Sequence, residues 1–166
     1  MPEITYKTAS TLLPEQMLVT FFSERKLRFA LAESCTGGLI AARITNISGV
    51  SELFNGAVVC YANDVKRDLL GVPQRLLETE GAVSASCAKA MAEGARKVLK
   101  ADIAVSVTGI AGPEGGTPTK PVGLVFIGIA TEEEVSAEEH FFSGNRESIR
   151  KQAADAALRA ALRAAR

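Results

Sequence analysis

The sequence is poor in the groups that most often announce a functional site. It has one histidine, His140, distant along the chain from every glycine cluster, so a serine triad built on histidine would have to use that residue. Its three cysteines, Cys35, Cys60 and Cys87, form no CxxC pair and no cluster with histidine. That excludes zinc sites of the usual spacing, and three reduced, mostly buried thiols are expected, with no metal and no cofactor. Neither sign of charge is in excess, because lysine plus arginine total 19 and aspartate plus glutamate also total 19. Duplex-binding proteins usually carry a basic surplus, so direct nucleic-acid binding is not expected; a local basic site for a small phosphate remains open. No apolar run reaches the ~18 residues needed to span a bilayer. The start MPEITYKTAS lacks the basic-then-apolar order of a signal peptide, so a cytoplasmic location without membrane contact is expected.

What is present is ordinary for a globular chain: 166 residues, 47% hydrophobic and 23% charged. That length fits one domain over residues 1–166, able to bury roughly 70% of the surface its unfolded form exposes. Residues 1–9 are polar and read as a loose arm. Apolar positions from Leu12 to Phe22 recur at helical spacing, with Pro14 in the first turn. Arg28–Glu33 and Phe54–Tyr61 read as strands, with a helix between them from Leu39 to Ile47. Asn63 or Asp64 can cap a short helix that Gly71 stops, and another short helix follows over Pro73–Thr79. Ser84 caps a longer helix whose expected buried stripe is Cys87, Met91, Gly94 and Val98. Asp102–Val107, Val122–Ala130 and Val135–Phe142 read as strands, and an alanine-rich helix runs from Arg146. The alternation predicts a three-layer α/β/α fold with a mixed, mostly parallel sheet of about five strands, the last two forming an antiparallel hairpin.

In such folds ligands bind where strand ends meet helix starts, and three unusual segments fall there. The first is Glu33-Ser34-Cys35-Thr36-Gly37-Gly38. Taken alone it reads first as a helix start capped by Ser34 or Thr36, but its free N–H groups also suit an oxyanion beside a serine nucleophile. The second is Tyr61-Ala62-Asn63-Asp64-Val65-Lys66. A lysine in a first helical turn meets an unfavourable dipole, and burial would push it further toward a neutral amine able to serve a serine as base. Tyr61 could hydrogen-bond the same hydroxyl; alternatively both are a solvated lysine and a packed tyrosine. The third is the loop Thr108–Pro121, long and glycine-rich enough for a binding loop, and without the GxxxxGK[ST] or GxGxxG phosphate patterns. Cys35 is a rival nucleophile with no plausible histidine to serve it.

Together AESCTGGLIAARIT (Ala32–Thr45), the stretch ending YANDVK (Lys66), LLGVP (Leu69–Pro73), GAVS (Gly81–Ser84), MAEGAR (Met91–Arg96) and VTGIAGPEGGTPTKPVG (Val107–Gly123) resemble the CinA carboxy-terminal domain family over about residues 10–165. The resemblance implies an α/β fold, often dimeric. It also implies, for the enzymatic members, hydrolysis of the carboxamide of nicotinamide mononucleotide to nicotinate mononucleotide and ammonia, in pyridine nucleotide salvage. Carried over by motif, the nucleophile falls on Ser34 and its partners on Tyr61 and Lys66. The substrate-contacting set falls on Thr36, Gly37, Gly38, Arg43, Asn63, Thr108, Gly109, Gly112, Gly115 and Gly116. The phosphate could be held by Arg43, Lys120 or the 108–117 loop. Ala62 replaces a serine common in the family, at a position without a nucleophilic role. The large N-terminal domain of many relatives has no counterpart here, so a stand-alone amidase is expected. The rival expectation is a nucleotide-binding or competence-associated module with little turnover.

Overall fold

The computed structural model describes residues 12–166; the arm expected at 1–9 lies outside them. The elements are α1 (Pro14–Arg25), β1 (Phe29–Glu33), α2 (Leu39–Thr45), β2 (Phe54–Val59), α3 (Asn63–Leu70), α4 (Gln74–Thr79), α5 (Ala85–Val98), β3 (Ile103–Gly109), β4 (Leu124–Ala130), β5 (Val135–Phe141) and α6 (Arg146–Ala164). The sheet order is β2-β1-β3-β4-β5. β1 pairs in parallel with β2 and β3, while β3–β4 and β4–β5 are antiparallel. The sheet is thus mixed, with two pairings of each kind and only β4 reversed. β3 can pair antiparallel with β4 because the long loop returns the chain without a crossover helix.

Side chains of successive strand residues point to opposite faces, and here the two faces differ in size. Phe29, Leu31, Ile103, Val105 and Val107 build one core with Leu18 and Phe22 of α1, Ile40 and Ile44 of α2, and Ile149 and Leu158 of α6. Ala30, Ala32 and Ala104 face the other way, against Leu70, Leu77, Cys87, Met91 and Ala95 from α3, α4 and α5. The small face lets α5 come close. Ser106 Oγ donates to the Ala88 carbonyl at 2.6 Å. At Gly128 a Cβ would collide with that carbonyl.

Four local expectations shift. β3 continues through Thr108 and Gly109, which read as loop from sequence. β4 begins at Leu124 because Val122 is packed beside Gly112 and Gly116 instead. Neither Asn63 nor Asp64 caps α3; Ala62 holds the cap position, and Asn63 is the first helical residue. Val98 leaves the expected stripe of α5 and is 55% exposed, while half-buried Leu99 turns in beside Gly56 in its place. Ser84 caps α5 as expected, accepting from the Cys87 N–H at 3.1 Å.

After β1 the chain passes to α2 on the large-residue face, and after β2 it passes to α3 on the small-residue face. The carboxyl ends of these parallel strands therefore open a crevice between diverging connections.

Candidate active site

The strand alternation carries one step past β1 and divides two neighbours. Glu33 turns to the α2 side and is fully buried. Its carboxylate accepts the N–H groups of Gly38 (3.0 Å), Ile40 (3.1 Å) and Ala41 (2.8 Å). Ser34 turns to the α3 side, where its Oγ lies 3.0 Å from Lys66 Nζ.

This arrangement corrects part of the sequence reading. The Gly38 N–H, expected to serve substrate or oxyanion, is held by Glu33, and the Gly37 N–H donates to the Ser34 carbonyl at 3.0 Å. Thr36 does not cap α2: Gly38 holds that position, and the Thr36 hydroxyl is buried without a hydrogen-bond partner among the described residues. The carbonyls of Cys35 and Thr36 accept from Arg150, at 3.2 and 2.6 Å. Among the described residues, the turn's N–H groups without an acceptor are those of Cys35 and Thr36.

Lys66 is 1% exposed. Besides Ser34, its Nζ meets the carbonyl oxygens of Cys60 (2.8 Å) and Tyr61 (3.0 Å). Carbonyl oxygens only accept, so both hold N–H bonds of the amine. The third direction of Nζ is toward the Ser34 hydroxyl, within hydrogen-bond distance. The Cys35 thiol beside Ser34 is a weak competitor, since burial pushes it up to about 11 and keeps it protonated at neutral pH.

These groups line a cleft of about 200 Å³ bounded by Ser34, Cys35, Tyr61, Asn63, Lys66, Ala82, Val83, Thr108, Gly109, Ala111 and Arg146. Of the sequence candidates, it gathers Ser34, Tyr61, Lys66, Asn63, Thr108 and Gly109. The Tyr61 phenol, expected at the serine hydroxyl, accepts instead from Arg146 Nη2 at 3.1 Å, and the residue is 60% exposed. The Thr108 hydroxyl donates to the Ala82 carbonyl at 2.8 Å and so fixes the opposite wall. Gly112 contributes its carbonyl to Arg146 Nη1 at 2.7 Å. Gly115 and Gly116 are exposed and do not line the cleft. Arg43 also lies outside it, held by Glu15 and Asp155 at 2.6 and 2.7 Å. Lys120 reaches the Glu80 carbonyl at 2.6 Å rather than the cleft. A larger hollow of about 310 Å³ at the opposite end of the sheet, among Arg96, Asp102, Glu132 and Glu133, contains none of the candidate residues.

Three residues of the site were not singled out from sequence. Arg146 opens α6 directly after its Asn145 cap, where the helix dipole disfavours a cation; the same signal had marked Lys66. Arg150 follows one turn later on the same face of α6. Glu33 is a carboxylate closing a fully buried strand, a place where charge needs partners.

Residues 13–165 match the CinA C-terminal domain family. The chain belongs to this family. It is 58% identical over 129 residues to a CinA-like protein of Geobacter metallireducens, covering 78% of this chain and 31% of that one. It is 47% identical over 144 residues to a CinA-like protein of Thermotoga maritima, covering 87% and 35%. It therefore spans about a third of the length of these curated relatives. Among solved structures, the competence/damage inducible protein CihA of Agrobacterium tumefaciens superposes with a TM-score of 0.88 at 42% identity, covering 92% of this chain and 93% of that one. A CinA superfamily protein of Klebsiella pneumoniae gives 0.87 at 29%, covering 93% and 98%. Among the described residues, no helix of this CinA domain is long and apolar enough to cross a membrane.

Proposed function

We propose that this CinA domain is an amidohydrolase that cleaves the carboxamide of nicotinamide mononucleotide, with Ser34 as nucleophile and Lys66 as general base. The observation that carries the reading is the 3.0 Å contact between Ser34 Oγ and a buried lysine whose other two contacts are backbone carbonyls. A pure binding module has no need of a serine and a buried amine in that relation.

The chemistry follows from the geometry. Lys66 takes the Ser34 proton as Oγ attacks the carboxamide carbon. The negative charge that develops on the amide oxygen meets the N–H of Cys35, the residue after the nucleophile, which lines the cleft and has no acceptor among the described residues. Lys66 returns its proton to the departing nitrogen, and ammonia leaves. Water, deprotonated by Lys66, then attacks the Ser34 ester; the acyl–Oγ bond breaks, Lys66 returns the proton to Ser34 Oγ, and the carboxylic acid leaves as its carboxylate.

The cleft of about 200 Å³ has room for an aromatic amide beside Ser34. The phosphate end would then lie at the mouth, where Arg146 is exposed with two of its five N–H donors committed to Tyr61 and Gly112. Tyr61 in this reading orients Arg146 rather than relaying the serine proton. The test is ammonia release from nicotinamide mononucleotide, its riboside and free nicotinamide. The mononucleotide should be preferred. Arg146→Ala should raise KM for the mononucleotide about tenfold or more, with little change for the riboside. Equal rates on all three substrates would discard the nucleotide assignment.

A further inference from the structure

The parallel register of β1 and β3 runs one residue past their last strand pair. Glu33 lies opposite Val107, and the Ser34 N–H donates to the Val107 carbonyl at 2.9 Å, the bond that sets Ser34 beside Thr108. Neighbouring strands stand about 4.8 Å apart, and residues in one lateral row share a face of the sheet. Thr108 follows Ala104 and Ser106 in turning to the small-residue face, where Ser34 also points. Both residues border the cleft. Lys66 reaches the nucleophile from the β2 side, where the Cys60 and Tyr61 carbonyls hold its amine. Thr108 flanks it from the β3 side.

The Thr108 hydroxyl has one hydrogen. A carbonyl only accepts, so the 2.8 Å contact with the Ala82 carbonyl commits that hydrogen. Toward β4 the lateral neighbour of Thr108 is Phe126, which offers no donor. Ser106 spends its hydrogen in the same way on the Ala88 carbonyl, but it does not border the cleft. Thr108 is buried, as Lys66 is, and does border it. An oxygen that can only accept therefore stands beside the nucleophile, and no donor among the described residues meets it.

We propose that Thr108 is a specificity-determining residue that reads the substrate as a primary amide, its Oγ1 accepting an N–H of the nitrogen that leaves. An amide whose oxygen meets the Cys35 N–H and whose nitrogen meets Thr108 has one way round over Ser34 Oγ. The carboxylate product has no hydrogen to give, so the same oxygen disfavours it and speeds its exit. An ester has no donor at its leaving atom and gains nothing from Thr108. The inference takes its substrate from the amidase reading; the acceptor beside Ser34 does not depend on it.

The experiment has two arms. The first compares ammonia release from nicotinamide mononucleotide with hydrolysis of the methyl ester of nicotinate mononucleotide, in wild type, Thr108→Ser and Thr108→Val. Valine keeps the shape, suits a strand and removes the acceptor; Thr108→Ala takes its place should that variant not fold. Thr108→Val should lower kcat/KM roughly 10–100-fold for the amide and less than about threefold for the ester. Thr108→Ser should stay within about threefold of wild type on both. The second arm measures binding of nicotinamide mononucleotide and nicotinate mononucleotide by calorimetry in Ser34→Ala, with and without Thr108→Val. The preference for amide over acid should shrink about tenfold or more when Thr108 is replaced. Equal losses on amide and ester would show that Thr108 only holds the Ala82 wall, and would overturn the proposal. So would an amide-to-acid ratio that Thr108→Val leaves unchanged. Should the wild type release no ammonia, the amidase reading fails and the binding ratio alone decides the inference; if neither ligand binds, both fall.

Discussion

Glu33 and Ser34 are adjacent in the chain, yet one anchors the start of α2 and the other faces Lys66 across the sheet. A buried carboxylate with three N–H partners and a serine with an amine partner are thus coupled by a single peptide bond. Replacing Glu33 by alanine strands three amide hydrogens at a buried helix start. The expected cost is about 3 kcal/mol in urea unfolding, from hydrogen bonds to a charged acceptor and the donors left unpaired. Glu33→Gln, which keeps one acceptor oxygen, should cost less than the alanine variant. A loss under about 1 kcal/mol in Glu33→Ala would show that the turn holds itself.

The position of Lys66 depends on how closely α3 approaches α5. Gly94 lies under the Leu70 carbonyl at the end of α3, where a Cβ has no room against backbone. Gly94→Ala would ordinarily favour a helix by about 1 kcal/mol. Here overpacking should dominate, with a net destabilisation of roughly 1–3 kcal/mol and a displaced α3. Thermal unfolding should show the loss, and ammonia release should fall with it. A neutral or stabilising Gly94→Ala would contradict the packing described.

Burial pushes the thiols of Cys35, Cys60 and Cys87 each up to about 11. A raised value favours the protonated thiol, so about one in a thousand of each is thiolate at pH 8. The native protein should resist alkylation by iodoacetamide at that pH, and the rate should climb as pH is raised toward 11. All three thiols should react on unfolding. Cys35→Ala should retain most of the activity. Rapid labelling of Cys35 in the native protein at pH 7, or an inactive but folded Cys35→Ala, would revive the thiol as nucleophile.

The layered fold was legible in the chain because its signals are local and redundant. The helices at Leu12–Phe22 and after Ser84, the strands around Glu33 and Cys60, and the glycine stop at Gly71 each follow from spacing over a few residues. Ser34 and Lys66 were legible as types in suitable places. Their contact was not, because it depends on which way the last residue of a strand turns and on how far a helix four residues long at that point buries its lysine. Gly38 and Thr36 were misassigned for the same reason. A helix start looks free in sequence until a carboxylate such as Glu33 fills it. Arg43 looked like a phosphate ligand beside the glycine turn, but its partners Glu15 and Asp155 come from helices distant in the chain. Arg146 carried the same helix-start signal as Lys66, but nothing near it or Arg150 in sequence points to residues 34–36 or 112.

The central claim is that a serine and a buried lysine hydrolyse an amide. The most direct measurement is ammonia release from nicotinamide mononucleotide by the wild type, Ser34→Ala, Lys66→Met and Lys66→Arg, each shown to be folded by circular dichroism. The account predicts turnover in the wild type and a loss of roughly 10³-fold or more in Ser34→Ala and in both lysine variants, since neither a thioether nor a guanidinium can accept the serine proton. A folded Ser34→Ala that works at the wild-type rate, or a Lys66→Arg that does, would contradict it.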